Sequence, residues 1–156
     1  MQWSKLKKNI EQRFAENLQG RLEIFETIYR MGYNHRIGEI WISLDKERIF
    51  STSDFTSWAR IRELESEGAS YKEALDQTAV EGTHPVYNSN IQLFETLNMS
   101  IDELLASPVA LVKGLAIADA RCGKRRLQKL KSGIENEAPF IQRIFNERLG
   151  RNGSPD

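Results

Sequence analysis

Six cations and no acid fill the eleven residues RCGKRRLQKLK, Arg121 to Lys131, in a chain of 156 residues whose formal net charge is zero. Arg121, Arg125 and Lys129 recur every fourth residue, the spacing that predicts one ridge along a helix, with Lys124 beside it. Such a ridge can neutralise nucleic-acid phosphates, sit on an acidic protein partner, or pair with acids of the same chain. The neutral total and the lack of aromatic residues interleaved with the cations place nucleic acid behind an acidic protein surface. The Gly123-Lys124 pair does not make a phosphate-binding loop. That loop needs a second glycine five residues earlier, where this chain has Ala118, and it must follow a strand.

Other groups with chemistry are sparse. The two histidines, His35 and His84, read as loop residues, and neither stands at a recognisable spacing from a nucleophile or an acid. One cysteine, Cys122, and two isolated histidines supply no set of metal ligands on a shared helix face, so no metal and no cofactor is expected. The run ELESE, Glu63 to Glu67, reads as a solvated helix face. The best enzyme-like cluster is Tyr29, Arg30, His35, Arg36 and Trp41, which pairing of two strands could gather into a pocket around Tyr29, Arg30 and His35.

The elements that must carry these residues begin with a helix over Ser4–Leu18. Trp3, Leu6, Ile10, Phe14 and Leu18 fall at helical spacing, Ser4 is the expected cap, and Gly20 ends the run. LEIFETIY, IGEIWISL and ERIF are rich in β-branched and aromatic residues and are separated by MGYNHR and by Asp45-Lys46, which predicts a three-stranded antiparallel meander. In the middle strand Ile40, Ile42 and Leu44 share the core face, and Trp41 points the other way. From Ser51 onward the pattern is helical. STSD caps the first helix and Gly68 stops it. Ser70 with Glu73 and Ser100 with Glu103 are capping boxes. Ser107-Pro108 launches a long helix through Ile134, and Pro139 starts the last one. The expectation is an α+β fold: helix, three-stranded meander, then helices packed on one sheet face. A single domain spans 1–150, and 151–156 form a polar tail.

Composition agrees with that expectation, since 40% hydrophobic and 28% charged residues are ordinary for a globular domain of this length. The unpaired cysteine and the lack of an apolar run of about 7–15 residues near the start point to a reducing cytoplasm. No window approaches the roughly 18 uninterrupted apolar residues of a membrane span. Charge is nevertheless segregated. Residues 63–103 hold one cation against nine acids, whereas 104–131 hold seven against one. A split of this kind either steers a charged partner or lets the acidic and basic elements answer each other inside the fold.

WSKLKK at the start, Thr27 with Tyr29 and Arg30, and Trp41-Ile42 with Asp45 resemble an uncharacterised family of small bacterial cytosolic proteins. In that family a Gly-Arg step precedes a Thr-x-Tyr-Arg strand and a Trp-Ile-x-x-Asp-Gly turn, and the C-terminal half carries Asp-x-Arg-x-Gly-Lys-Arg-x-Leu. Gly20-Arg21 match the step, and Asp119, Arg121, Gly123, Lys124, Arg125 and Leu127 match the C-terminal signature. The resemblance implies that Asp119 with Arg121 or Arg125 forms a shared structural or binding element, and it implies no activity. Lys46 stands where the family has glycine, which argues against a tight two-residue turn and for a looser loop.

From these residues we expect a non-enzymatic intracellular binding protein, of immunity or inhibitor type. It would contact an acidic protein through Arg121, Lys124, Arg125 and Lys129, with Trp41 as a further contact. The alternatives are a nucleic-acid-binding accessory protein using the same ridge and a small enzyme with its site at the first hairpin.

Overall fold

The computed structural model of the chain describes residues 1–32 and 35–150. Two residues of the MGYNHR separator, Tyr33 and Asn34, and the expected polar tail lie outside the described residues. The order is α1 (Trp3–Glu11), a 3-10 turn (Glu16–Leu18), β1 (Leu22–Met31), β2 (His35–Leu44), β3 (Glu47–Ser53) and α2 (Asp54–Ser66). Then come α3 (Tyr71–Glu81), α4 (Val86–Thr96), α5 (Ile101–Ala106), α6 (Ala110–Ala118), α7 (Lys124–Leu130), a 3-10 turn (Ile134–Asn136) and α8 (Pro139–Arg148). The fold is the expected α+β arrangement, with the antiparallel sheet in the order β1-β2-β3.

The alternation read from the middle strand is realised. Ile24, Ile40, Ile42 and Leu44 are fully buried and join Leu93, Ile117, Ile141, Ile144 and Phe145 in one hydrophobic cluster. The opposite face carries Phe25 stacked on Trp41, with ring centroids 5.2 Å apart. The Arg48 guanidinium lies 4.1 Å from the Trp41 ring centroid, and the Lys7 ammonium lies 4.3 Å from that of Phe25. Trp41 is therefore half-buried, stacked on Phe25 and covered by the Arg48 guanidinium.

Both capping boxes form, at Ser70/Glu73 and Ser100/Glu103, and Ser53 caps α2. Three expectations are corrected. First, α1 stops at Glu11 instead of running to Leu18, and its cap position is Gln2, with no side-chain bond. The chain turns because the Ala15 N–H leaves the helix to donate to the Ala118 carbonyl, while the Ala120 N–H donates to the Arg13 carbonyl. Second, Pro108 does not open a helix. The Ser107 hydroxyl accepts the Val109 N–H and α6 begins at Ala110. Third, Lys46 does not loosen its turn. Leu44 pairs with Glu47 across two residues, both at positive φ, Asp45 at 49° and Lys46 at 69°. This is a tight hairpin turn held despite the side chain that glycine would spare. Arg21 fixes it with paired bonds to the Asp45 carboxylate at 2.9 and 2.8 Å, and it also reaches the buried Glu147 at 2.9 Å.

Candidate functional site

The basic stretch does not form one ridge. α6 ends at Ala118 and α7 starts at Lys124, so Arg121 lies in the connection while Arg125 and Lys129 lie on α7. The helix breaks because the amides that would continue it are used elsewhere. Ala120 donates to Arg13, Arg121 donates to the Asp119 carboxylate, and Cys122 donates to the Asp119 carbonyl. Arg121 then folds back on the same buried carboxylate through Nε and Nη2, at 3.1 and 2.8 Å, while its Nη1 reaches the Met99 carbonyl. Asp119 accordingly holds the Arg121 guanidinium above its ordinary pKa.

A second cation of the stretch is also satisfied internally. Arg126 clasps Asp102 at 2.9 and 3.0 Å, tying α7 to the acidic segment. Among the described residues Lys124, Arg125 and Lys129 make no ion pair within 4.0 Å, and all three are exposed. Arg148, which the sequence did not single out, locks this junction from α8. Its guanidinium donates to the carbonyls of Ile117, Asp119 and Cys122, at 2.9 Å and 2.7 Å for the last two. Cys122 is fully buried beside it, and burial raises the thiol pKa, which removes it as a nucleophile.

The hairpin cluster is dispersed. Tyr29 pairs with Ile37, Arg30 with Arg36 and Met31 with His35, so Tyr29 and His35 share one face while Arg30 and Arg36 share the other. Trp41 pairs with Phe25, four residues along β1 from Tyr29, or about 13 Å at roughly 3.3 Å per residue. These side chains do not converge on a point. His35 opens β2 instead of lying in a loop, whereas His84 lies in the connection between α3 and α4 as expected. It is buried, its Nδ1 lies 3.0 Å from the Thr78 hydroxyl, and burial lowers its pKa.

What the structure gathers instead lies along α4. Tyr87, Ile91 and Phe94, at positions i, i+4 and i+7, stand 76%, 41% and 44% exposed on one stripe, while Val86 and Leu93 face the core. Clefts flank the helix on both sides. One, of about 540 Å³, is lined by Trp3, Glu26, Tyr87, Ile91, Phe94 and Glu95 among others. The other, of about 490 Å³, includes Asp76, Val80, His84, Ile91 and Val109. Ile91 borders both, and among the described residues neither is lined by a lysine or an arginine.

The helix is fixed at three levels. The buried Asp54 carboxylate accepts the Gly38 N–H at 2.7 Å and the Val86 N–H at 3.0 Å, joining β2 to the start of α4. Gly38 is required there, since a Cβ would sit 2.8 Å from Val86 Cγ1. Asn90 donates to Glu26 at 2.7 Å, and Arg13 donates to the Thr96 and Leu97 carbonyls at the far end. An exposed apolar row is thus displayed on a rigid support. The sequence signal was available: VYNSNIQLFET carries two apolar rows, and one helix in a single layer can bury only one of them.

The fold is that of a helix-rich α+β protein that leaves an apolar, acid-rimmed face exposed along α4. The SF0329 protein family matches residues 2–149, and the chain belongs to it. No curated protein and no solved structure matches the chain. No helix among the described residues is long and apolar enough to cross a membrane, and none of their His, Cys, Asp and Glu side chains group in threes to hold a metal ion.

Proposed function

We propose that the chain is a non-enzymatic binding protein of the bacterial cytoplasm, in the manner of an immunity or inhibitor protein, whose recognition surface is the α4 face. The observation that carries the reading is the row Tyr87, Ile91 and Phe94, held out of the core between two clefts on a helix pinned at both ends and its middle. Large apolar side chains clustered on a rigid surface and rimmed by polar groups are characteristic of protein contact sites. Asp76 and Glu95 at the rims select a partner segment with apolar anchors flanked by lysine or arginine.

Lys124, Arg125 and Lys129 support a second reading, contact with an acidic partner, because among the described residues they, like Lys131, are cations of the basic stretch without an ion pair. A photo-crosslinking residue at position 91, set against one at position 124, separates the two. Adducts at 91 support the α4 face. Adducts confined to 124 support the basic cluster, with protein or nucleic acid in the adduct naming the partner class.

A further inference from the structure

We propose that two copies of this chain associate through the free edge of β1, forming one six-stranded antiparallel sheet across a twofold axis at Ile28. β1 is an edge strand of ten residues. Its outward groups at Ile24 are taken within the chain: the N–H donates to Glu11 at 2.9 Å, and the carbonyl accepts from Lys7 at 2.7 Å. That contact fixes which residues face outward. The N–H and C=O groups of Glu26, Ile28 and Arg30 point away from β2, and among the described residues no hydrogen bond reaches them.

The strand beyond Ile24 is also apolar where it is bare. Ile28, Tyr29 and Met31 are 51%, 54% and 52% exposed. Natural edge strands are blunted by charge, proline, a bulge or a covering element, and this stretch has only one charge on each side of Ile28.

Those two charges decide the occupant. An antiparallel pairing of β1 with a second β1 centred on Ile28 sets Glu26 opposite Arg30 of the other copy, twice by symmetry. The residues placed opposite one another are outward-facing pairs, so the register forms six backbone hydrogen bonds between the copies. It lays Ile28 against Ile28 and Tyr29 against Thr27. Within one chain Arg30 stands opposite Arg36, a like-charge pair without a carboxylate among the described residues. The incoming Glu26 supplies one, while its other oxygen keeps the Asn90 bond. The paired segment ends where Gly32 of one copy comes opposite Ile24 of the other, which is where α1 covers the edge. A register centred on Arg30 would oppose two arginines. The bare edge thus complements itself in one alignment.

Sedimentation equilibrium on the full chain, up to about 100 µM to include weak interfaces of small area, tests the proposal. The wild type is expected to be a dimer. Arg30→Glu and Glu26→Arg are each expected to raise the dimer dissociation constant by about tenfold or more, because each turns two attractive cross-strand pairs into repulsive ones. The double variant Glu26→Arg/Arg30→Glu is expected to recover most of the affinity. Ile28→Lys, which blocks the edge without touching the β1–β2 ladder, is expected to give a monomer with unchanged far-ultraviolet circular dichroism. A wild type that stays monomeric, a dimer indifferent to the single reversals, or a double variant no better than the singles overturns the proposal.

Discussion

Arg121 and Arg125 belong to the same run of cations, yet replacing each with alanine should have different consequences for stability. The Asp119 carboxylate that Arg121 binds is buried. Arg121→Ala removes three side-chain bonds to Asp119 and one to the Met99 carbonyl, leaving that carboxylate with the Arg121 amide as its donor. Loss of one member of a fully buried pair costs about 3–5 kcal/mol, but Arg121 is partly open to water, which screens the charge and lowers the expected cost to about 1–2 kcal/mol. For a chain of this size that lowers Tm by roughly 2–8 °C. Arg125→Ala removes no ion pair seen among the described residues and should stay within about 0.5 kcal/mol of wild type. Urea unfolding followed by circular dichroism measures both. A double-mutant cycle of Arg121→Ala with Asp119→Ala should return a coupling of about 1 kcal/mol or more. Equal effects of the two arginine substitutions, or a coupling near zero, would refute the assignment of Arg121 to the fold and return it to the surface.

Two further outcomes follow from local geometry. Lys46→Gly relieves a side chain held at φ 69° in a two-residue turn, and it should stabilise the protein by about 0.5–1 kcal/mol in thermal or urea unfolding. His84 has its folded pKa lowered by burial, so the unfolded chain takes up a proton that the folded chain resists. Its contribution to stability is complete above the ordinary value of 6.5 and is lost as pH falls below it. Unfolding free energies of wild type and His84→Gln should therefore differ by a constant amount above about pH 7 and converge as the pH falls toward 5. Parallel curves would show that His84 is not resisting protonation.

The sequence expressed most clearly what is local. Alternation in IGEIWISL set the core face of β2, and the two capping boxes needed only residues three apart. The break between α6 and α7 was hidden because Val112, Ala116, Ala120 and Leu127 keep helical spacing through it. What ends α6 is a hydrogen bond from the Ala120 N–H to the carbonyl of Arg13, a residue distant in sequence, together with a buried Asp119 whose role depends on that crossing. The stretch from Asp119 to Leu127 thus marks a helix junction, with Arg121 inside it and Lys124 and Arg125 outside. The α4 face was missed for a related reason. Val86 and Leu93 already satisfy the pattern of a packed helix, and only the position of α1, β1 and α3 around it shows that Tyr87, Ile91 and Phe94 are left uncovered. The hairpin cluster failed on register, because pairing Arg30 with Arg36 places both on the face opposite Tyr29 and His35.

The most direct test of the α4 surface is photo-crosslinking in the host cell with the reactive residue at position 91, compared with positions 124 and 62 on other exposed surfaces and with position 91 in a Tyr87→Ser/Phe94→Ser background. A discrete protein adduct is expected at 91, weak or missing at 62 and lost when the two aromatic residues are removed from the folded protein. No adduct at 91, or one that persists without Tyr87 and Phe94, would contradict the α4 assignment.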